Sequence, residues 1–208
     1  MKQMADNAKN YPPRLTNASF DIVAIASSAG GLAALNKLLS SLPKDFPAAI
    51  AVVQHIAPQH RSLMSEILAR HTALQVKQAE KGDYLNSGTV YVAPPDYHLL
   101  VNSDGTLDLS QSERIQFLRP AADVLFASVA ATFKDRAIAI VLTGTGRDGA
   151  TGVEAIHQMG GVVIAQDEKS SEFYGMPNAT IKTGSVNFVL PLDEISPTLV
   201  ALVMDKNP

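Results

Sequence analysis

The sequence predicts an α/β fold, a modified doubly wound three-layer sandwich. Its sheet is mostly parallel and it carries one antiparallel hairpin. Three observations lead there. Short, fully apolar, β-branched runs recur along the chain, as buried parallel strands do. Segments with leucines at helical spacing separate several of them, the alternation expected of βαβ units. Mid-chain, Asn102-Ser103-Asp104-Gly105 lies between two strand-like segments and reads as a hairpin turn.

The elements follow in order. Asp21–Ala26 is the first buried strand, closed by Ser27, Ser28 and the Gly30-Gly31 pair. Leu32, Leu35, Leu38, Leu39 and Leu42 then mark one face of a helix that Pro43 ends. Ala48–Val53 is the second strand, and Leu63, Met64, Ile67 and Leu68 mark a helix ending near His71. Thr89–Ala93 and Tyr97–Val101 are strand-like, and the hairpin turn leads to Thr106–Leu109. A helix follows Pro120, with Val124, Leu125, Val129 and Phe133 on one side. Ala137–Leu142 is the third fully apolar strand, followed by a helix over 149–159 and a strand at Val162–Ala165. Pro177 belongs to the first turn of a short helix. Asn187–Leu190 is a strand, and residues 192–204 form the closing helix. Residues 1–19 are polar around Pro12 and Pro13 and read as a mobile tail, which leaves one domain over 20–208.

Composition removes several chemistries. With no cysteine among 208 residues, a thiol nucleophile, a disulfide scaffold and a Cys-ligated metal are excluded. Net charge is -3 and the 17 basic residues are dispersed, so no nucleic-acid footprint is expected. No apolar run approaches the roughly 20 residues of a membrane span, and the N-terminus lacks the apolar core of a signal peptide. A soluble, cytoplasmic protein is expected. His60, His71, His98 and His157 show no paired metal-ligand spacing, so no metal is expected.

Sites in open α/β sheets form outside the carboxyl ends of the strands. Three of the apolar strands lead there into Ser28, into Gln54 and His55, and into a loop ending in Asp148. Serine, histidine and aspartate are the types nucleophilic acyl transfer uses: attacking oxygen, proton carrier and orienting carboxylate. Plainer readings stand beside this one. Ser28 and Asp148 would each serve as the N-cap of the helix that follows, and His55 as a satisfied strand-end residue. A helix start beside Ser28 also offers backbone N–H donors for an oxyanion. The order Ser, His, Asp and the absence of Gly-x-Ser-x-Gly set the chain apart from the α/β-hydrolases. Gly144, Gly146 and Gly149 match a dinucleotide fingerprint, with Asp167 about 20 residues on. Against that reading, Asp148 would repel a pyrophosphate at the helix start, and too little chain follows for a two-halved nucleotide fold.

Four segments together resemble the catalytic domain of the CheB family, the chemotaxis protein-glutamate methylesterases. They are Ser28-Ala29-Gly30-Gly31, Val52-Val53-Gln54-His55, Leu142-Thr143-Gly144-Thr145-Gly146-Arg147-Asp148-Gly149-Ala150 and Tyr174-Gly175-Met176-Pro177. Val90-Tyr91-Val92-Ala93-Pro94 and Arg119-Pro120-Ala121-Ala122-Asp123-Val124-Leu125-Phe126 add to it. The resemblance implies hydrolysis of γ-glutamyl methyl esters on cytoplasmic helices of methylated chemoreceptors. It also implies deamidation of receptor glutamines in many members, and no cofactor. It places the nucleophile on Ser28, its histidine on His55 and its aspartate on Asp148. Backbone N–H groups of Ala29 and Thr145 are the candidate oxyanion donors, and Tyr174 and Met176 the candidate cleft residues. Many members have threonine where Ala29 stands and methionine where Thr145 stands, so both positions depart from the common pattern. Many members also carry an N-terminal receiver domain. The residues ahead of position 20 are too few for one, since a domain needs at least about 50, so activation by phosphorylation in cis is not expected; a separate methyltransferase or regulator is a further candidate partner. A receptor-binding module without catalysis, or a dinucleotide-binding protein, is the alternative.

Overall fold

A computed structural model describes residues 18–56 and 62–204, together with Pro12 and Arg14. Most of the segment expected to be a tail, as well as His60 and Arg61, lies outside these residues. Pro12 is buried, and its carbonyl accepts a hydrogen bond from Arg136.

The first strand, β1 (Ile22–Ser27), is apolar up to Ala26 and buried throughout. Its side chains alternate between two faces, as a strand's must. Ile22, Ala24 and Ala26 join one core; Val23 and Ile25 join the other. The same alternation runs through β2 (Ala49–Gln54) and β7 (Ala137–Val141), the strands on either side of β1. With β3 (Gln75–Gln78), β4 (Thr89–Val92), β8 (Val162–Gln166) and β9 (Phe188–Leu190) they form a seven-stranded parallel sheet, ordered β3-β4-β2-β1-β7-β8-β9. A sheet parallel throughout must be covered on both faces. Helices α1 (Gly31–Ser40), α2 (Met64–Ala69) and α6 (Leu192–Met204) pack their apolar residues on one face. Helices α3 (Ala122–Phe133), α4 (Ala150–Gln158) and α5 (Gly175–Lys182) cover the other.

The hairpin, β5 (His98–Val101) and β6 (Leu107–Ser110), is a separate two-stranded ribbon rather than an insertion in the main sheet. It packs Leu99, Val101 and Leu107 into the core beneath α3, and the Val101 N–H donates to Ser128 Oγ at 3.0 Å. The chain leaves β1 leftward to β2 and later returns rightward to β7. The switch point, the crevice where such sheets bind ligands, lies between β1 and β7.

At the opposite end of β1, Asp21 is fully buried and paired with Arg136, which also stacks over Phe133 at 5.6 Å. Removing one member of a buried pair strands the other charge in low dielectric. Arg136→Met is therefore expected to destabilise the fold by about 3–5 kcal/mol in chemical denaturation, and Asp21→Asn/Arg136→Met to recover part of that loss.

Candidate active site

Parallel pairing of β1 and β2 aligns Ser27 with Gln54, so the next residues, Ser28 and His55, leave adjacent strand ends together. The His55 N–H donates to the Ser27 carbonyl at 3.0 Å. On the other side, the Ser28 N–H donates to the carbonyl of Thr143, in the loop after β7, at 3.0 Å. Ser28 and His55 are thus positioned by backbone bonds at the ends of three neighbouring strands.

The turn after β1 is held by Gln54. Its side-chain oxygen accepts from Ser27 Oγ at 2.7 Å, and its Nε2 donates to the carbonyls of Ser28 at 2.7 Å and His55 at 3.1 Å. One buried amide therefore ties the two strand ends together. It fits because position 31 is glycine: a Cβ there would meet Gln54 Oε1 at 2.1 Å. Thr143 does the equivalent work on the other side. Its Oγ1 donates to the Ala29 carbonyl at 3.0 Å and accepts from the Phe173 N–H at 2.9 Å.

Asp148 comes from the loop between β7 and α4 and is 1% exposed. Its Oδ2 bonds His55 Nε2 at 2.7 Å. The same oxygen accepts the Ala122 N–H at 2.6 Å, and Oδ1 accepts the Asp123 N–H at 3.0 Å. Asp148 thus closes the N-terminus of α3, not of the helix that follows it, whose N-cap is Gly149 without a side-chain bond. Ser28 does not act as a cap either; the N-cap of α1 is Gly30, again without a side-chain bond. Capping and orienting His55 are in this site one arrangement. Burial pushes the Asp148 carboxyl up. Its bonds from His55 and the two helix amides outweigh that and hold it below the ordinary carboxylate range. Asp123 reciprocates by accepting the Gly152 N–H of α4 at 2.8 Å. Burial raises its carboxyl, and the charge of Asp148 adds to the rise against the pull of that amide.

With Nε2 donating to Asp148, the remaining ring nitrogen of His55, Nδ1, is the basic one. No hydrogen bond joins Ser28 Oγ to the imidazole among the described residues; such contacts are often long before substrate binds. Ser28 opens onto a groove of about 470 Å³ lined by Leu32, Ala33, Asn36 and Glu172 among others. His55 lines a neighbouring hollow of about 160 Å³ with Phe117, Arg119 and Pro120. The N–H groups of Ala29 and Thr145 are engaged by no acceptor among the described residues, whereas those of Ser28 and Gly144 are.

Tyr174 is half-buried at the start of α5, and Gly175 lies against Gly144 and Gly146. Met176 departs from the cleft role expected of it. It is fully buried in the core, because its backbone N–H bonds the Gly144 carbonyl at 2.9 Å and turns the thioether beneath that glycine. A Cβ at position 144 would meet the Met176 sulfur at 2.4 Å and Ser28 Cβ at 2.8 Å. Gly144→Ala is therefore expected to displace Ser28. A misplacement on the order of 1 Å costs about 10²-fold in rate, to be read as kcat in steady-state kinetics.

The glycines of the apparent dinucleotide fingerprint are thus accounted for otherwise. Gly144 makes room for Ser28, and Gly146 and Gly149 adopt left-handed φ of 85° and 95°. Asp167 shapes a local turn by accepting from Ser170 N at 3.0 Å and Ser170 Oγ at 2.6 Å. His98 is buried and structural, bonded to the Glu113 carbonyl and the Ala121 N–H. No group of three or more His, Asp or Glu side chains suited to a metal occurs among the described residues. No helix among them is long and apolar enough to cross a membrane.

Comparison with known proteins meets this geometry. The family profile described as CheB methylesterase matches residues 23–199. A protein-glutamate methylesterase/protein-glutamine glutaminase of Methanosarcina mazei is 43% identical over 190 residues, which cover 88% of this chain and 52% of that protein. The protein-glutamate methylesterase FrzG of Myxococcus xanthus is 41% identical over 97% of this chain and 58% of its own length. The chain thus spans about half the length of such relatives. It covers 97% of a putative protein-glutamate methylesterase/protein-glutamine glutaminase of Leptospira interrogans, at 38% identity. The crystal structure of the Thermotoga maritima CheB methylesterase catalytic domain superposes with a TM-score of 0.85 at 39% identity, covering 89% of this chain and all of that one. A strand-end serine, a histidine–aspartate pair at the switch point and a profile match along most of the chain lead to one conclusion: this chain belongs to the CheB methylesterase family.

Proposed function

We propose that residues 20–208 form a serine esterase domain that hydrolyses γ-glutamyl methyl esters on the cytoplasmic helices of methylated chemoreceptors. The observation that carries this reading is the 2.7 Å bond between His55 and the buried Asp148, built beside Ser28 at adjacent strand ends. Ser28 Oγ attacks the ester carbonyl, and its proton passes to His55 Nδ1. The N–H groups of Ala29 and Thr145 receive the oxyanion. As the tetrahedral centre collapses, the C–O bond to the methoxy group breaks, and methanol departs with the proton from His55. Water then loses a proton to His55 and attacks the acyl-serine. Collapse frees Ser28, which regains the proton, and leaves a glutamate carboxylate. Asp148 fixes the tautomer and stabilises the imidazolium at each transfer. A glutamine side chain runs through the same sequence with ammonia leaving, which supports receptor deamidation as a second outcome. Every group needed is a side chain or amide of the chain itself, so the reading needs no cofactor. The site of action is the cytoplasm, and a separate methyltransferase or regulator acts alongside.

The test is incubation with receptor membranes carrying labelled methyl esters. Wild type is expected to release labelled methanol and Ser28→Ala is not. Equal release by both would refute the reading, and a chain that only binds receptor would release none.

A further inference from the structure

Residues 111–119 form an arm beside the His55 hollow, and its tip is unusual. Ile115 and Leu118 pair across a two-residue turn, with N–H···O distances of 3.1 and 2.8 Å. Both central residues have positive φ, 50° at Gln116 and 68° at Phe117. Such turns favour Asn-Gly, and a bulky aromatic in the left-handed region is a genuine outlier. Phe117 is also 93% exposed, so its ring buries almost nothing within this chain. Single exposed apolar residues are ordinary. This one differs in being held in place. Arg119 anchors the base of the arm to Asp96 at 2.8 Å and to the carbonyls of Gln111 and Ser112, each at 2.9 Å. Arg147, next to Asp148, donates from Nε to the Gln116 side chain at 3.2 Å. Phe117 lines the same hollow as His55. Strain that persists because its surroundings enforce it is a feature of ligand clamps.

We propose that Phe117 is a specificity-determining residue, the apolar anchor for the protein segment that carries the esterified glutamate; the inference rests on the esterase reading above. The occupant is a helical segment. Three or four residues from the glutamate, a side chain on the same helix face lies about 5–6 Å away. An apolar residue there packs on Phe117 while the ester lies between Ser28 and His55. The guanidinium of Arg147, bonded to the tip of the arm from the loop after β7, favours acidic neighbours on that segment.

The test separates binding from chemistry. Phe117→Gly removes the ring and relieves the positive φ, so the variant folds with an unchanged or raised Tm. Its KM for a methylated receptor cytoplasmic fragment is expected to rise about tenfold, about 1.4 kcal/mol, with kcat little changed. Phe117→Leu, which keeps apolar surface, restores most of the affinity. Turnover of N-acetylglutamate γ-methyl ester, which lacks a flanking segment, changes less than twofold. An unchanged receptor KM, or an equal loss on the small ester, would overturn the role. So would a wild-type dimer that Phe117→Gly dissolves, which would assign the ring to a self-interface. If wild type is inactive on both substrates, the esterase reading fails and this inference falls with it; failure at Phe117 alone leaves wild type active.

Discussion

Ser28→Ala is expected to abolish turnover while leaving the fold intact. Loss of a nucleophile from a working triad costs about 10⁶-fold in kcat, so activity should fall to background. The stability effect should be slight. Ser28 Oγ bonds no group among the described residues, so its loss orphans no partner there. Substitutions of that kind fall within about 0.5 kcal/mol. The neighbouring serine gives the opposite pattern. Ser27 is fully buried and donates to Gln54, which holds the turn. Ser27→Ala should therefore lower stability more than Ser28→Ala and reduce activity far less. Kinetics and denaturation on the two variants side by side would check the contrast.

Asp148→Asn should damage chemistry and stability together. The carboxylate accepts from His55, Ala122 N and Asp123 N. An asparagine has only one accepting oxygen. In one orientation its NH₂ opposes the Asp123 amide. In the other it opposes the Ala122 amide and donates to His55 Nε2, which moves the ring proton to Nδ1 and removes the base. In both, the charge that stabilises the imidazolium is gone. A fall in kcat of about 10⁴-fold follows. Stability should drop by about 1–3 kcal/mol, the usual cost of a buried donor left without its partner. The pH dependence has a definite sign. The folded carboxyl of Asp148 is depressed, so its contribution is present above the unfolded value of about 3.9. It is lost as pH falls through that value toward the lower folded one. Wild type should lose its advantage over Asp148→Asn as pH drops below about 4. Urea denaturation of both proteins across that range would show it.

The order of strands and helices was readable because buried parallel strands are apolar throughout and amphipathic helices keep a fixed period. Ile22–Ala26, Ala49–Val53 and Ala137–Val141 show this most plainly. β3 was not read: Gln75–Gln78 has one apolar residue in four and lies at the sheet edge, so burial imposes no pattern on it. Thr89–Val92 was legible as a strand but not in its pairing, which is parallel with β2 and depends on contacts distant in sequence. Ser28, His55 and Asp148 stood out as polar residues directly beyond apolar strands. The bonding roles of Gln54, Thr143 and Asp123 were not visible, because each joins groups far away in sequence. A glutamine ending an apolar strand was the one visible sign. The capping role of Asp148 was half legible: an aspartate near a helix start suggested a cap, but only the tertiary fold brings it to α3. Met176 was misjudged because a motif does not say which way a side chain turns. Phe117 carried no signal, since neither its left-handed backbone nor its exposure is written in residue type.

The proposed mechanism turns on Ser28 Oγ being the atom that attacks. Treatment with a fluorophosphonate and peptide mapping tests this directly, since such reagents label activated serine nucleophiles. One adduct is expected, on Ser28, lost in Ser28→Ala and strongly slowed in His55→Ala and Asp148→Asn. An adduct on Ser27, or no reaction by a folded wild-type chain, would contradict it.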